Sequence, residues 1–343
     1  MKKLAILGLL PLMLHAANYS VESIRIDDVP VVRLTDRAHS VEVAVAPSLG
    51  NLAYEMKVKG KNIFWVPFQS IGQFKSKPTL CGNPFLAPWA NRLDEDAFYA
   101  NGKKYSLNAS LGNFRRDGNK NPIHGLLAYS DAWQVVETKA TDTDAAVTSR
   151  LEFYKYPDLM AQFPFAHILE MSYRLKDGVL EVETRIENLS NSPMPVAIGY
   201  HPYFRLHDSP RDQWKVHLAA REHVVLSDKL IPTGERKPVS LPDPVSLATT
   251  QLDDVFTGLV AGPDGRAEFS VTGVKEKIAV HYGPKYIVAV VYSPPGRDFI
   301  CFEPMAGVTN ATNLAHAGKY RELQTIPPGG VWKESFWVVP SGF

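Results

Sequence analysis

Cysteine is nearly absent from this chain of 343 residues: only Cys81 and Cys301 occur. Two cysteines set no disulfide framework, and their spacing matches no metal-binding motif. Charge of one sign is scarce too. The 37 Lys and Arg residues stand against 36 Asp and Glu, for a formal net charge of +1. The densest basic patch, "NFRRDGNKN", is short and reads as a solvated loop. That balance excludes an electrostatic footprint for nucleic acid. Amphipathic helices of any length are missing, as are internal repeats, low-complexity tracts and linkers. One domain is therefore expected rather than a string of modules.

Long apolar runs are confined to the beginning. "MKK" is basic, "LAILGLLPLML" is apolar and "HAA" supplies small residues. This order is that of a secretory signal peptide, expected over residues 1–17, with cleavage near Ala16 or Ala17. The apolar stretch is too short to span a bilayer, and Pro11 would break a buried helix there. No cysteine lies near the cleavage site to carry a lipid. A soluble exported protein is expected, periplasmic in a Gram-negative source, with no membrane contact after cleavage. Losing Lys2 and Lys3 would take the formal charge from +1 to −1.

What the chain does have is period-2 alternation. In "VEVAVAP", Val41, Val43 and Val45 share a face. In "VLEVETRIEN", Leu180, Val182 and Ile186 face one way while Glu181, Glu183, Arg185 and Glu187 face the other, which describes a half-buried antiparallel strand. "KIAVHYGPKYIVAVVYSP" reads as two strands around Gly283-Pro284, and "ESFWVVP" as a last one. Turn signals such as "KDG", "ENLSNSP" and "GPDG" separate the runs. "SLPDPVSLATTQLDD" reads as a Pro-containing loop. The fold class is all-β: large packed antiparallel sheets in a single domain, residues 18–343.

Four places differ from core or plain loop. In "NPFLAPWANRLDEDAF", Asn91-Arg92 joins a loop to a hairpin-like segment, and an arginine there offers a planar donor fork to oxygen-rich ligands. A surface arginine is the plain alternative. In "NPIHGLL", His124 precedes Gly125, where backbone can approach a ligand closely; a satisfied turn histidine competes. In "AIGYHPYFRL", His201 and Tyr203 share a face with Phe204 opposite, and Pro202 would end the ladder so that the histidine leans into a cleft. Taken alone it would be a core histidine. In "DFICFEPMAG", Glu303 is a carboxylate in a strongly apolar strand. It must be paired, hydrogen-bonded or shifted in pKa, as structural and functional glutamates both can be.

The order "NR", "HG", "GYHPYF", "FEP" in one all-β chain closely resembles the aldose 1-epimerase (galactose mutarotase) family. The likeness continues through "AQFPFAHILEMSYRLKDGVLEVETRIENLSNSPMPVAIGYHPYFRL", "SLGNLAYEMKVKGKNIFW" and "GGVWKESFWVVP", and spans about residues 40–340. It implies a galactose mutarotase-like β-supersandwich with a sugar cleft. It also implies interconversion of the α and β anomers of free aldoses, with no cofactor and no metal. By position in the motifs, Glu303 matches the family's base and His201 its general acid. Arg92, His124 and an aspartate in "QLDDVF" match residues that hold sugar hydroxyls; Asp253 is taken, with Asp254 the alternative. Asn91 is a weaker match, and Tyr203 is expected as an aromatic floor for the sugar, with Phe85 and Trp89 weaker candidates. An ionised Glu303 is expected to favour a protonated His201, and the reverse. The expected partner is a free monosaccharide, and the expected state a monomer or weak dimer.

There are departures. "HGLL" stands where many members have a second glycine, and the charged lead-in "FRRDGNKN" has an uncertain register. Both leave the sugar preference open. A hexose 6-phosphate epimerase of the same fold would need a basic cluster, of which only Arg92 and the "FRRDGNK" basics are visible. A catalytically silent sugar-binding protein would need neither acid nor base. A lyase of related architecture would bring a companion domain, and none is visible. Export and the shared strand face of Cys301 and Glu303 lead to one further expectation, that Cys81 and Cys301 pair near the cleft.

Overall fold

The computed structural model describes residues 17–343. The signal peptide expected over residues 1–17 lies outside them except for Ala17. Alternation of side chains dictates the architecture. The strand Val179–Asn188 buries Leu180, Val182, Thr184 and Ile186 and leaves the residues between them partly exposed. It sits between His167–Lys176 and the last strand, Val331–Ser341, in a nine-stranded antiparallel sheet. An eight-stranded antiparallel sheet carries Leu252–Leu259, Val288–Ser293 and Ile300–Met305 side by side. A five-stranded meander, from Tyr19–Ile26 to Lys61–Asn62, forms a third sheet.

One continuous core joins the three sheets. It includes Leu34 and Val43 from the meander, Val182, Val280 and Phe336 from the nine-stranded sheet, and Phe204, Phe256 and Phe302 from the eight-stranded sheet. The second face of the meander packs separately on the short helix Ile71–Ser76, with Phe68 between Tyr54 and Phe74. The other α-helices among the described residues, Pro157–Gln162 and Ala311–His316, are also six residues long. None is long and apolar enough to cross a membrane.

The two strands around Gly283-Pro284 form as expected, but in different sheets. Lys277–Tyr282 pairs in the nine-stranded sheet and Val288–Ser293 in the eight-stranded one, so the Gly-Pro step is a crossover. "SLPDPVSLATTQLDD" is not wholly loop: Val245–Ser246 adds an edge to Lys215–Leu218. In the basic patch, Arg115–Arg116 pairs with Pro122–Ile123.

The expected cysteine bridge does not form. Cys81 and Cys301 are free and buried. They occupy different apolar clusters: Cys81 lies with Tyr54 and Phe74, Cys301 with Tyr203 and Phe299. Burial pushes the Cys81 thiol up to about 12 and the Cys301 thiol well above its ordinary value. Thiolates are the reactive form, so both are inert in the fold. Titration with a thiol reagent should find both thiols in denatured, unreduced protein and almost no reaction in native protein. Finding no thiols after denaturation would establish a bridge instead.

Candidate active site

The eight-stranded sheet has two faces with opposite jobs. Along Ile300–Met305, Ile300 and Phe302 point into the main core, while Cys301 and Glu303 point the other way. The segment containing "HPYF" runs antiparallel beside this strand. Gly199 pairs with Met305 and Tyr203 with Cys301. Counting inward from both pairs puts His201 directly across from Glu303. The ladder is interrupted there, at His201 and Pro202, and resumes at Tyr203–Phe204. Pro202 therefore interrupts the pairing rather than ending it.

Backbone alternation explains the gap. The N–H groups of His201 and Tyr203 donate to the carbonyls of Pro84 and Gly82, at 3.1 and 2.8 Å, on the side away from Glu303. The N–H at position 202 would point toward Ile300–Met305, and proline has none. The opposed side chains meet: His201 Nε2 lies 3.2 Å from Glu303 Oε1. On the far face, Tyr200 anchors the segment through a 2.5 Å hydroxyl contact with Thr184 of the nine-stranded sheet.

Lateral pairing extends the row. Val290 pairs with Glu303 and Tyr292 with Cys301; Asp253 pairs with Tyr292 and Val255 with Val290. Asp253, Tyr292, Glu303, His201 and Tyr203 thus share one face and line a cavity of about 230 Å³. This volume is below the roughly 300–1,000 Å³ of drug-sized sites and fits a single small polar ligand. Asp253 rather than Asp254 faces the cavity, because Asp254 is turned to His223, whose Nε2 is 2.8 Å from its carboxylate.

Two loops close the other side. Asn91 and His124 both have left-handed backbone, φ 52° and 62°, a conformation that non-glycine residues adopt rarely and often at functional sites. The His124 N–H donates to the Asn91 carbonyl at 2.8 Å. Next to it, Gly125 passes so close to Ala87 that a Cβ would lie 2.1 Å from the Ala87 carbonyl oxygen. Glycine is required there, and the close pass fixes His124. The two imidazoles stand edge to face, centroids 5.5 Å apart. The Asn91 amide donates to Met305 Sδ at 3.6 Å. Arg92 enters beside them, held by a 2.7 Å bond from its Nε to Asp117.

Asp117 went unrecognised in the sequence. Its other carboxylate oxygen accepts the N–H groups of Asn119 and Asn121. The charged lead-in is thus a carboxylate-capped turn that aims the arginine. Tyr292 was also missed; it stands at the end of an apolar strand with no motif around it. Two expected floor residues need correction. Phe85 packs on Tyr200 and Trp133, and Trp89 is buried in the main core, so neither lines the cavity. Tyr203 does, with its ring stacked on His201 at 4.6 Å.

A model of the family described as aldose 1-epimerase matches residues 31–338. This chain belongs to the aldose 1-epimerase family. A galactose mutarotase-like protein from Clostridium acetobutylicum is similar in structure, with a TM-score of 0.84 at 22% identity over 95% of this chain and 99% of that one. Galactose 1-epimerase from Lactobacillus acidophilus gives a TM-score of 0.72 at 15% identity, over 96% and 100% of the two chains. An aldose epimerase homologue from C. elegans gives 0.69 at 16%, over 89% and 96%. At these identities the likeness concerns the fold: a galactose mutarotase-like β-rich domain.

The electrostatics of this epimerase-family cavity differ from the ion pair expected for His201 and Glu303. Burial holds the His201 imidazole down at about 3, with Arg92 and Arg115 adding to the effect. Burial likewise pushes Glu303 well above the ordinary carboxylate range; the Asp253 charge raises it further and Arg92 opposes. Asp253 is raised by burial, with Arg92 opposing, and His124 is depressed by burial and by His201. In the free cavity burial thus favours the neutral form of each group, because desolvation penalises both charged forms. Three buried polar atoms here, Glu303 Oε2, His201 Nδ1 and His124 Nδ1, have no hydrogen-bond partner among the described residues.

A raised carboxyl pKa means that the folded state holds its proton above pH 4.5 while the unfolded state releases it. Stability therefore falls as pH rises through that window. Glu303→Gln should match the parent near pH 4. Above that it should become progressively more stable than the parent as pH rises. Urea denaturation at pH 4, 6 and 8 checks this, and an equal effect at all three would contradict the buried neutral carboxyl.

Proposed function

We propose that the chain is an exported aldose 1-epimerase that interconverts the α and β anomers of free aldoses of galactose or glucose type, with Glu303 as base and His201 as acid. The observation that carries this reading is the 3.2 Å contact of a carboxyl and an imidazole whose remaining polar atoms stay unpaired in a small cavity. Unpaired buried donors and acceptors are costly, and a polyhydroxylated ring supplies partners for them.

Ring opening requires a proton to leave the C1 hydroxyl and another to reach the ring oxygen. Ionised Glu303 takes the first and protonated His201 gives the second. The product is an open aldehyde, with the proton on Glu303 and His201 neutral. Rotation about C1–C2 presents the other carbonyl face, and the reverse transfers close the ring as the opposite anomer. The charged pair serves the closed ring and the neutral pair serves the aldehyde. Both states hold the same number of protons, so the cycle needs no proton from solvent. The neutral state is the one that burial favours, and hydroxyls of the bound sugar offset the cost of the charged one. Arg92, aimed by Asp117, and His124, Asp253 and Asn91 orient the hydroxyls. Tyr203 offers its face to the C–H side of the ring.

Among the described residues, Arg92 is the lone Lys or Arg side chain lining the cavity. This favours a neutral sugar over a phosphorylated one. The presence of both an acid and a base favours an isomerase over a simple sugar binder.

Polarimetry of freshly dissolved α-glucose or α-galactose should show faster equilibration with the protein than with buffer, and no acceleration across a panel of free aldoses overturns the reading. Glu303→Gln should lower kcat by about 10²-fold or more while sugar binding stays measurable by calorimetry. Near-normal turnover in that variant removes Glu303 from the base role. Export predicts that protein recovered from the periplasm of an expressing bacterium begins near Asn18 by intact mass. Recovery of the full chain from the cytoplasm alone contradicts it.

A further inference from the structure

The cavity has an open end and a closed end. At the level of Cys301, its wall residues Leu80, Tyr203 and Tyr292 also line a wider groove of about 740 Å³. On the other side of Glu303 the strand Ile300–Met305 ends, and four residues later Thr309 lines the cavity. Thr309 is 2% exposed, yet its hydroxyl makes no hydrogen bond among the described residues. A buried hydroxyl without a partner is costly, and this one borders a space where a ligand can supply the partner.

The turn that carries Thr309 is strained and firmly held. Asn310 has left-handed backbone, φ 63°, as Asn91 and His124 do. Its Nδ2 is buried with no partner among the described residues. Its Oδ1 accepts the Asp94 N–H at 3.2 Å. The Asn313 amide donates to the Asp94 carboxylate at 2.7 Å and to the Ala97 carbonyl at 3.1 Å. The turn is thereby tied to the loop of Asn91 and Arg92, and the closed end forms one unit. Strain of this kind persists where the surroundings over-determine it, and it clusters at ligand sites. A β-branched side chain has few rotamers, so the hydroxyl is fixed before a ligand arrives.

We propose that Thr309 is a further sugar-binding residue, whose hydroxyl pairs with one secondary hydroxyl of the ring, at C2, C3 or C4, and so helps to set which aldose is accepted. The inference rests on the epimerase reading above. Glu303 and His201 engage C1 and the ring oxygen, which leaves the secondary hydroxyls to the surrounding wall. Asp253 and Tyr292 stand on the Cys301 side of Glu303, whereas Thr309 lies past Met305. The two ends therefore reach different hydroxyls. A threonine hydroxyl both donates and accepts, so it can pair with a sugar hydroxyl in either sense. A bond of this kind is made equally to the bound sugar and to its transition state, and it acts on KM rather than kcat.

The test follows anomer equilibration of glucose and of its 2-, 3- and 4-deoxy forms by polarimetry. Thr309→Val, which keeps the shape and removes the hydroxyl, should raise KM for glucose about fivefold and leave kcat within about twofold. Thr309→Ser should stay within about twofold of the parent in both. For one of the three deoxy sugars, the one that lacks the paired hydroxyl, the parent and Thr309→Val should perform alike. If the valine change disturbs the turn, Thr309→Ala against Thr309→Ser gives the same comparison. A valine variant equal to the parent on glucose overturns the inference. So does an equal loss on glucose and all three deoxy sugars, or a serine variant as poor as the valine one, since either makes Thr309 a support for the turn. These outcomes leave the epimerase reading intact. Absence of turnover of every sugar by the parent protein removes that reading and this inference together.

Discussion

The pairing of Gly199 with Met305 and of Tyr203 with Cys301 is the constraint on which the cavity depends. A slip of one residue in either strand would send His201 or Glu303 into the hydrophobic core and bring Phe204 or Phe302 out, because side chains alternate faces. Neither slip is tolerable. Tyr200 is held from the core side by Thr184, and Phe204 and Phe302 fill the space between the sheets. The core therefore sets the register, and the register sets the distance between the two titratable groups. Pro202 opens the ladder at that same level by withholding one N–H.

Burial works in two directions here. It removes water from Glu303 and His201 and stabilises their neutral forms. It also leaves polar atoms unpaired, which a ligand rich in hydroxyls can satisfy. A site poised in this way has its two titratable groups in contact and loses little in reorganisation when a polar ligand enters. The loops contribute orientation. Left-handed backbone at Asn91 and His124, the close pass at Gly125, and the Arg92–Asp117 bond each fix one side chain at the rim. Outside that rim the aromatic rings continue to Trp65, so the apolar wall of the cavity is also the inner edge of the groove.

Much was legible in the sequence. Alternation in "VLEVETRIEN" and "DFICFEP" gave strands, burial and even the faces, since a period of two is local information. Glu303 stood out as a carboxylate where the pattern demanded an apolar residue. His201, His124, Arg92 and Asp253 were found through their motifs. Other features depended on contacts between distant segments. Phe85 and Trp89 lie in the same motif-bearing stretch as Arg92, yet their backbone pairs with Tyr200 and Ala197 and turns both rings into the core. Asp117 looked like one charge among several in a solvated loop, and only the fold brings it to the guanidinium.

The sequence by itself determined that the chain is all-β, which residues could donate or accept a proton, and where proline would interrupt a strand. These follow from side-chain period and backbone chemistry, which act over a few residues. Tertiary structure decided that His201 meets Glu303, that Asp253 rather than its neighbour faces the cavity, that the two cysteines stay apart, and that burial favours the neutral forms of both titratable groups. Each of these depends on which surfaces lose water together, and that is settled only when strands about 100 residues apart align across a common core.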